Sequence, residues 1–452
     1  MQTKAIIDRM LWFSRREVKG VLPHIMAELT VQPESKFVYP QPFCLMEEGV
    51  NWIGVPRAWG LKQRWLVGQR SIEDRTVYPI KKWPPFVGEY RAGQQASVEA
   101  IVSAFMVGQY GALLDAKTGT GKTAMSAVIA STLNTPTLVV VHKEDLADQW
   151  RGVVENQELF VGVDTGHVQG SHWDYQNKHL VTAMAQTLYS RVGMEPTDFY
   201  KSFGLVIFDE CHRYPARTFE TVLKLPYARY RLGVSATWRR RDGLECIWHW
   251  HIGAIEHRTA GVHLVGEYVQ VPWNTQVGDW MAPSYGGKVC HAKILNIIAA
   301  NAPYNEWLTG ELIKGAQANR QMLLCSHRVA QLVDIKTRIE RKNTGLSVGY
   351  YVGAIDKKAL RSKELEASKK CNIILATYHK MSEGTDIDTL DTLILATPAV
   401  DIEQVVGRIQ RPKIGKQPLL VVDPVWQTPY NLRLAEKRKV FYKKLNFTKQ
   451  GG

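Results

Sequence analysis

Five short apolar runs recur between residues 111 and 237: GALLD (111–115), TLVVVH (137–142), LVTAMA (180–185), GLVIFDE (204–210) and YRLGVSAT (230–237). They do not alternate apolar with polar. Near-continuous apolar runs suit strands covered on both faces, as in a parallel sheet. Helix-forming stretches separate them, so the pattern predicts an α/β lobe. A looser glycine- and tryptophan-rich region follows, from about 244 to 290. The alternation then restarts with QMLLCS (321–326), SVGYYVG (347–353), NIILAT (372–377), TLILAT (392–397) and PLLVVD (418–423). Two α/β lobes in tandem are therefore expected. The first 85 residues fit neither lobe. They are rich in tryptophan, proline and basic residues and run into the proline-broken stretch KKWPPFVGEY (81–90), a boundary signal. The expected organisation is a small N-terminal α+β domain (1–85), a first lobe (86–270), a second lobe (271–430) and a basic tail (431–452).

Composition narrows the partners. At 452 residues, three domains of roughly 150 residues each are affordable in length. The formal net charge is +14, which favours a polyanion such as nucleic acid ahead of an acidic membrane surface. Cys44, Cys211, Cys246, Cys290, Cys325 and Cys371 are scattered without a C-x-x-C pair. Neither a structural metal nor a disulfide framework is expected, and the compartment is read as reducing and cytoplasmic. No run of 18 apolar residues predicts a membrane span, and MQTKAIIDRMLWFSRREVKG lacks a signal-peptide core.

The chemistry is concentrated at two strand ends. AKTGTGKT (116–123) follows GALLD and matches G-x-x-x-x-G-K-[ST] except for Ala116 in the first place. Lys117, Thr118, Gly119, Thr120 and Gly121 would curl so that backbone N–H groups face phosphate oxygens, and the next helix points its N-terminus at the same anion. Lys122 would reach the β- and γ-phosphates of ATP, and Thr123 would hold Mg²⁺. FDECH (208–212) supplies the partner: Asp209 for Mg²⁺, and Glu210 to orient and deprotonate the attacking water. An acidic pair at a strand end can also be a plain helix-entry cap. Together with the phosphate loop it points to nucleoside-triphosphate hydrolysis.

With these motifs, residues 86–415 resemble the superfamily 2 helicases. That family's phosphate loop reads A-x-x-G-x-G-K-T, which accommodates Ala116, and its D-E-x-H box matches Asp209 to His212. The resemblance implies two RecA-like motor lobes. It implies that His212 links the nucleotide site to Ser235, Ala236 and Thr237, and that Arg91 and Gln94 of YRAGQQ (90–95) read adenine. QVVGRIQRP (404–412) matches Q-x-x-G-R-x-x-R, giving Gln404 and the arginine fingers Arg408 and Arg411, one helical turn apart. EGTDI (383–387) would bring Gly384 and Asp386 to the nucleotide. Nucleic-acid phosphates are expected to meet Lys143, Gln186, Thr187, His327, Arg328 and Thr377.

The stretch after Ser-Ala-Thr narrows the type. One group of superfamily 2 DNA helicases continues A-T-P-x-R-x-D-G; here the chain reads ATWRRRDG (236–243). Arg240, Asp242 and Gly243 fall in register, with Arg240 a further candidate nucleic-acid contact and Trp238 in place of the proline. The layout is most similar to the branch-migration and recombination helicases of tailed coliphages, with VNWIGVPRAWG (50–60) resembling their strand-and-PR segment. That resemblance implies a monomeric, ATP-dependent DNA helicase acting on branched or forked duplex in the host cytoplasm. In WGLKQRWLVGQR (59–70), Trp59 and Trp65 either contact a melted base or fill the small domain's core. The basic tail is either a solvated helix or a duplex contact. The rival functions are an RNA helicase, a duplex translocase that separates no strands, and an ATP-switched clamp.

Overall fold

The protein is described by a computed structural model covering residues 4–34, 41–68, 70–117, 119–211, 216–236, 238, 240, 242–259, 264–274, 284–285, 288–355, 358–381, 387–400, 402–410 and 415–450. The chain divides into two compact units, Met1–Gly261 and Val262–Gly452.

In the first unit, the five apolar runs form Gly111–Ala116, Thr137–Val141, Leu180–Met184, Leu205–Asp209 and Tyr230–Ser235. They are central strands of an eight-stranded sheet. Its order is His172–Trp173, Thr165–Gln169, Leu180–Met184, Thr137–Val141, Leu205–Asp209, Tyr230–Ser235, Gly111–Ala116, Ile255–Thr259. Every pair is parallel except the first. Continuous apolar sequence is needed because both faces are covered. Leu113, Val140, Val206 and Phe208 enter one core, while Ala112, Leu114, Val139, Val141 and Ile207 enter the other.

The N-terminal segment is an α+β structure on a five-stranded sheet, ordered Glu47–Glu48, Trp52–Val55, Leu11–Ser14, Lys4–Ile7, Ser71–Asp74. Ile7, Leu11, Phe13, Ile53 and Val55 share one continuous core with the near face of the large sheet. Arg57 of the PR segment is fully buried and clamps the two parts, donating to the Ala228 carbonyl at 2.8 Å. Burial lowers its guanidinium to about 10, with Asp8 and Asp74 opposing. Arg231 answers from the large sheet by donating to the Arg9 carbonyl at 2.7 Å.

The connecting stretch is tied down as well. Trp83 donates its indole N–H to Thr135 O at 2.9 Å. His179 Nδ1 accepts from the Asp164 N–H at 3.0 Å, and its Nε2 lies 3.2 Å from the Lys82 carbonyl. That pair of bonds selects the neutral tautomer with the proton on Nε2. Burial, with help from Lys81, lowers this imidazole below its usual 6.5. The unfolded chain therefore binds a proton here that the folded chain resists, and stability falls as pH drops below about 6.5. The expected result is an unfolding midpoint that declines on acidification from pH 7 to 5, with a shallower decline in His179→Leu. Equal slopes in the two proteins would remove His179 from the account.

The second unit repeats the pattern. A seven-stranded, all-parallel sheet runs Val348–Tyr351, Ile373–Thr377, Met322–Ser326, Thr392–Leu395, Leu419–Trp426, Gly266–Trp273, Thr448–Lys449. Leu323 and Cys325 point into one core, Met322 and Leu324 into the other. Ile255–Thr259 and Gly266–Trp273 are sheet strands within the region expected to be loose. The basic segment also differs from expectation. Pro429–Lys444 is one helix, started by Thr428, whose side chain accepts the Asn431 N–H. Leu434, Ala435, Arg438 and Tyr442 of this helix are buried. The segment is part of the second core rather than a tail beside it.

Candidate nucleotide site

The phosphate loop lies between the strand Gly111–Ala116 and the helix Lys122–Leu133. Ala116 is buried in the core behind the loop, so its methyl group is accommodated where the commoner motif has glycine. Gly119 and Gly121 adopt φ of 87° and 82°, the left-handed region that glycine enters without strain. A Cβ on Gly121 would stand 2.3 Å from Gln94 Nε2. The Thr120 hydroxyl donates to Lys117 O at 2.7 Å and tightens the turn. The helix begins without a side-chain cap, leaving its first N–H groups for an anion. Thr123, in the first turn, is buried, and Thr118 lies outside the described residues.

Gln94 joins the adenine-reading candidates to this loop. Its amide donates to Thr120 O at 2.8 Å and accepts the Arg91 backbone N–H at 2.9 Å. Arg91 itself is exposed. Across the loop, Lys122 Nζ forms an ion pair with Glu210. Glu210 has φ of 47°, an uncommon conformation for a residue with a side chain. Asp209 is buried at the end of Leu205–Asp209. Burial and then the Glu210 charge push its carboxyl up to about 6, opposed by Lys122.

Asp209 has a partner that the sequence did not announce. The buried Trp150 donates its indole N–H to Asp209 Oδ2 at 2.8 Å. Trp150 sits on the helix Glu144–Val154, whose N-cap is Lys143. One helix thus joins a candidate phosphate contact to a candidate metal ligand.

The coupling segment leaves the sheet at a telling place. Tyr230–Ser235 pairs on one side with the acidic strand, Asp209 opposite Val234, and on the other with the loop strand, Ser235 opposite Asp115. Ser235 is buried and Ala236 half-buried. His212 and Thr237 lie outside the described residues, as do Arg239 and Arg241.

The expected nucleic-acid contacts divide. Gln186 is exposed and donates to His142 O at 3.1 Å, beside Lys143. Thr187 is buried, and its hydroxyl accepts the Gly170 N–H at 2.9 Å. Arg240 requires correction. Its guanidinium grips Asp242 through two bonds of 2.6 Å, lies 5.6 Å from the Trp248 ring centre, and its side chain is only 5% exposed. It closes the turn from inside. Trp238 also packs inward, edge-on to Trp248 at 5.9 Å.

In the second unit, His327 bonds Thr397 Oγ1 through its backbone N–H at 3.0 Å and its ring Nδ1 at 2.9 Å. Burial, then His291 and Arg328, bring its imidazole down to about 4. Arg328 reaches Asn296 Oδ1 at 2.5 Å and Ala292 O at 3.1 Å. The Thr377 hydroxyl accepts from Lys380 N at 3.3 Å. Gln404 and Arg408 stand on the helix Glu403–Ile409, but their side chains lie outside the described residues. Gly384, Asp386 and Arg411 lie outside them entirely.

A glycine-lined loop feeding a helix, with an acidic pair at the end of a parallel strand one place removed in the same sheet, defines a P-loop nucleoside triphosphatase of the tandem RecA-like class. Comparison with known proteins gives the narrower placement. Residues 88–240 match the family described as the type III restriction enzyme, res subunit. A protein of Acanthamoeba polyphaga mimivirus described as "Putative ATP-dependent RNA helicase L396" is 28% identical, covering 89% of this chain and 78% of its own length. "Probable helicase D10" of Escherichia phage T5 is 24% identical, covering 73% of this chain and 71% of its own. The S. cerevisiae Dbp5 structure, bound to RNA and ADP BeF3, superposes with a TM-score of 0.54 at 12% identity, over 80% of this chain and 90% of that one. Residues 88–240 thus carry a helicase domain of the res-subunit kind, and the helicase relatives extend the likeness over most of the chain, in keeping with an ATP-hydrolysing helicase.

Proposed function

We propose that the protein is an ATP-dependent DNA helicase or translocase that unwinds or branch-migrates forks and Holliday junctions in phage replication, recombination or repair. The observation that carries the motor reading is the position of Ser235, on the strand between the phosphate loop and the acidic pair. A change at the γ-phosphate is felt by both neighbours of that strand and passes into the segment that follows it.

The roles follow from chemistry. Gln94 and Arg91 hold the base, and the loop N–H groups and Lys122 hold the phosphates. Thr123 and Asp209 offer the hard oxygen donors that Mg²⁺ takes, and the ion would neutralise phosphate charge there. Glu210 orients the water, with Arg408 and Arg411 meeting the charge that develops. Trp150 keeps the Asp209 carboxylate in place. Lys143, Gln186, Arg328 and Thr377 are the candidate phosphate contacts, together with His327.

DNA is favoured over RNA by the A-T-x-x-R-x-D-G register and by the restriction-enzyme family that matches the first lobe. An RNA substrate is the second reading, favoured by the printed name of the mimivirus relative. The test compares ATP-dependent turnover of forks, Holliday junctions, blunt DNA duplex and RNA duplex side by side. Branched DNA is expected to be processed fastest. Equal activity on plain RNA duplex would overturn the substrate assignment.

A further inference from the structure

The first unit carries an open cavity of about 480 Å³ apart from the nucleotide loop. Trp59, Lys62 and Gln63 line it from the N-terminal segment; His249, Trp250 and Arg258 line it from the large-sheet side. Its lining holds two indoles, an imidazole and two permanent cations, and no aspartate or glutamate. Indole faces accept flat rings, and cations accept phosphates, so the occupant that matches is anionic and aromatic.

The geometry around the cavity extends this. Trp59 is buried and holds its place, while Trp65 meets it edge-on at 6.4 Å and is 45% exposed. Trp65 also donates to Gln63 Oε1 at 3.0 Å, fixing a polar group at the rim. Arg258 is exposed, lies 3.3 Å from Asp115, and stands opposite it in the sheet. Asp115 immediately precedes Ala116, where the phosphate loop begins. A phosphate on Arg258 would compete with Asp115 and be felt one residue from that loop.

We propose that this cavity takes an unpaired nucleotide of the DNA substrate, its base against the Trp250 ring, which the buried Trp59 backs, and its phosphate on Lys62 and Arg258. The proposal rests on the DNA-helicase reading and adds a base-stacking site to a motor whose other contacts meet phosphates. A paired duplex buries the faces of its bases in its own stack, so only a melted or tailed strand can present a ring here.

The experiment uses the full chain and two DNAs, a blunt duplex and the same duplex with a single-stranded tail containing 2-aminopurine. The unsubstituted protein should bind the tailed DNA about tenfold more tightly and change the 2-aminopurine emission. Lys62→Glu combined with Arg258→Glu alters only exposed side chains and should lose the tail preference while keeping blunt-duplex binding. Trp250→Ala should lose the emission change, and Trp250→Phe should restore it. An unchanged tail preference in the charge-reversed protein, or no emission change with the unsubstituted one, overturns the proposal. An unsubstituted protein with no affinity for either DNA and no DNA-stimulated ATPase overturns the DNA-helicase reading itself, and this site with it.

Discussion

Lys122→Ala is expected to lower ATP turnover by at least about a hundredfold, the scale on which a preorganised charge at a developing phosphoryl anion acts. The ammonium is placed for two tasks. It pairs with Glu210 beside the buried Asp209, and it lies at the start of the helix whose N–H groups face the phosphate. Without it, two carboxylates remain side by side with their main compensation gone, and a bound γ-phosphate would lose the cation that the loop offers it. Nucleic-acid binding without ATP should persist, because none of the expected phosphate contacts touches this lysine. Glu210→Gln separates the two tasks: it keeps a hydrogen-bonding oxygen for Lys122, so ATP binding should survive while hydrolysis is lost. Phosphate release and junction remodelling measured together decide the matter. Remodelling that continued in Lys122→Ala after ATPase was lost would sink the motor reading and favour a clamp.

The legible parts of this chain are those whose physics is local. A strand covered on both faces must be apolar throughout, so TLVVV and LVIFD declare themselves. A phosphate cradle must be contiguous, because its donors are successive backbone N–H groups, so the loop at 116–123 declares itself too. Ile255–Thr259 does not, because IEHRT is an edge strand and carries polar residues where a central one could not. Trp150 was hidden because its bond to Asp209 spans 59 residues, and an indole in EDLADQW looks like any helix core position. Arg240 and Trp238 show the limit of register. The sequence places them, but only the turn they close decides that a guanidinium and an indole face inward.

The same limit applies to RLAEKRKVFYKK (433–444), whose charge suggests a solvated face. One cation in it is the opposite. Arg438 and Asp423 are 2% and 1% exposed, joined by bonds of 2.8, 3.0 and 3.1 Å. Arg438 also donates to Ala399 O at 2.9 Å, and Gln270 donates to Asp423 at 2.9 Å. Desolvating both charges is costly, and the pair offsets that cost only while it is complete. Arg438→Met should therefore cost about 3–5 kcal/mol, because it leaves a buried carboxylate with neutral hydrogen-bond partners and no counter-charge. Asp423→Leu in the same chain should recover much of that loss, since two apolar groups of similar volume carry no unpaired charge. Urea unfolding monitored at Trp426, at the end of the strand that bears Asp423, reports both. A single variant as stable as the unsubstituted protein would mean that the helix is held by its apolar face alone, by Leu434, Ala435 and Tyr442. That outcome is not expected, because Asp423 is buried and the other groups that bond it, the Gln270 amide and the Tyr442 hydroxyl, are neutral and cannot replace the guanidinium.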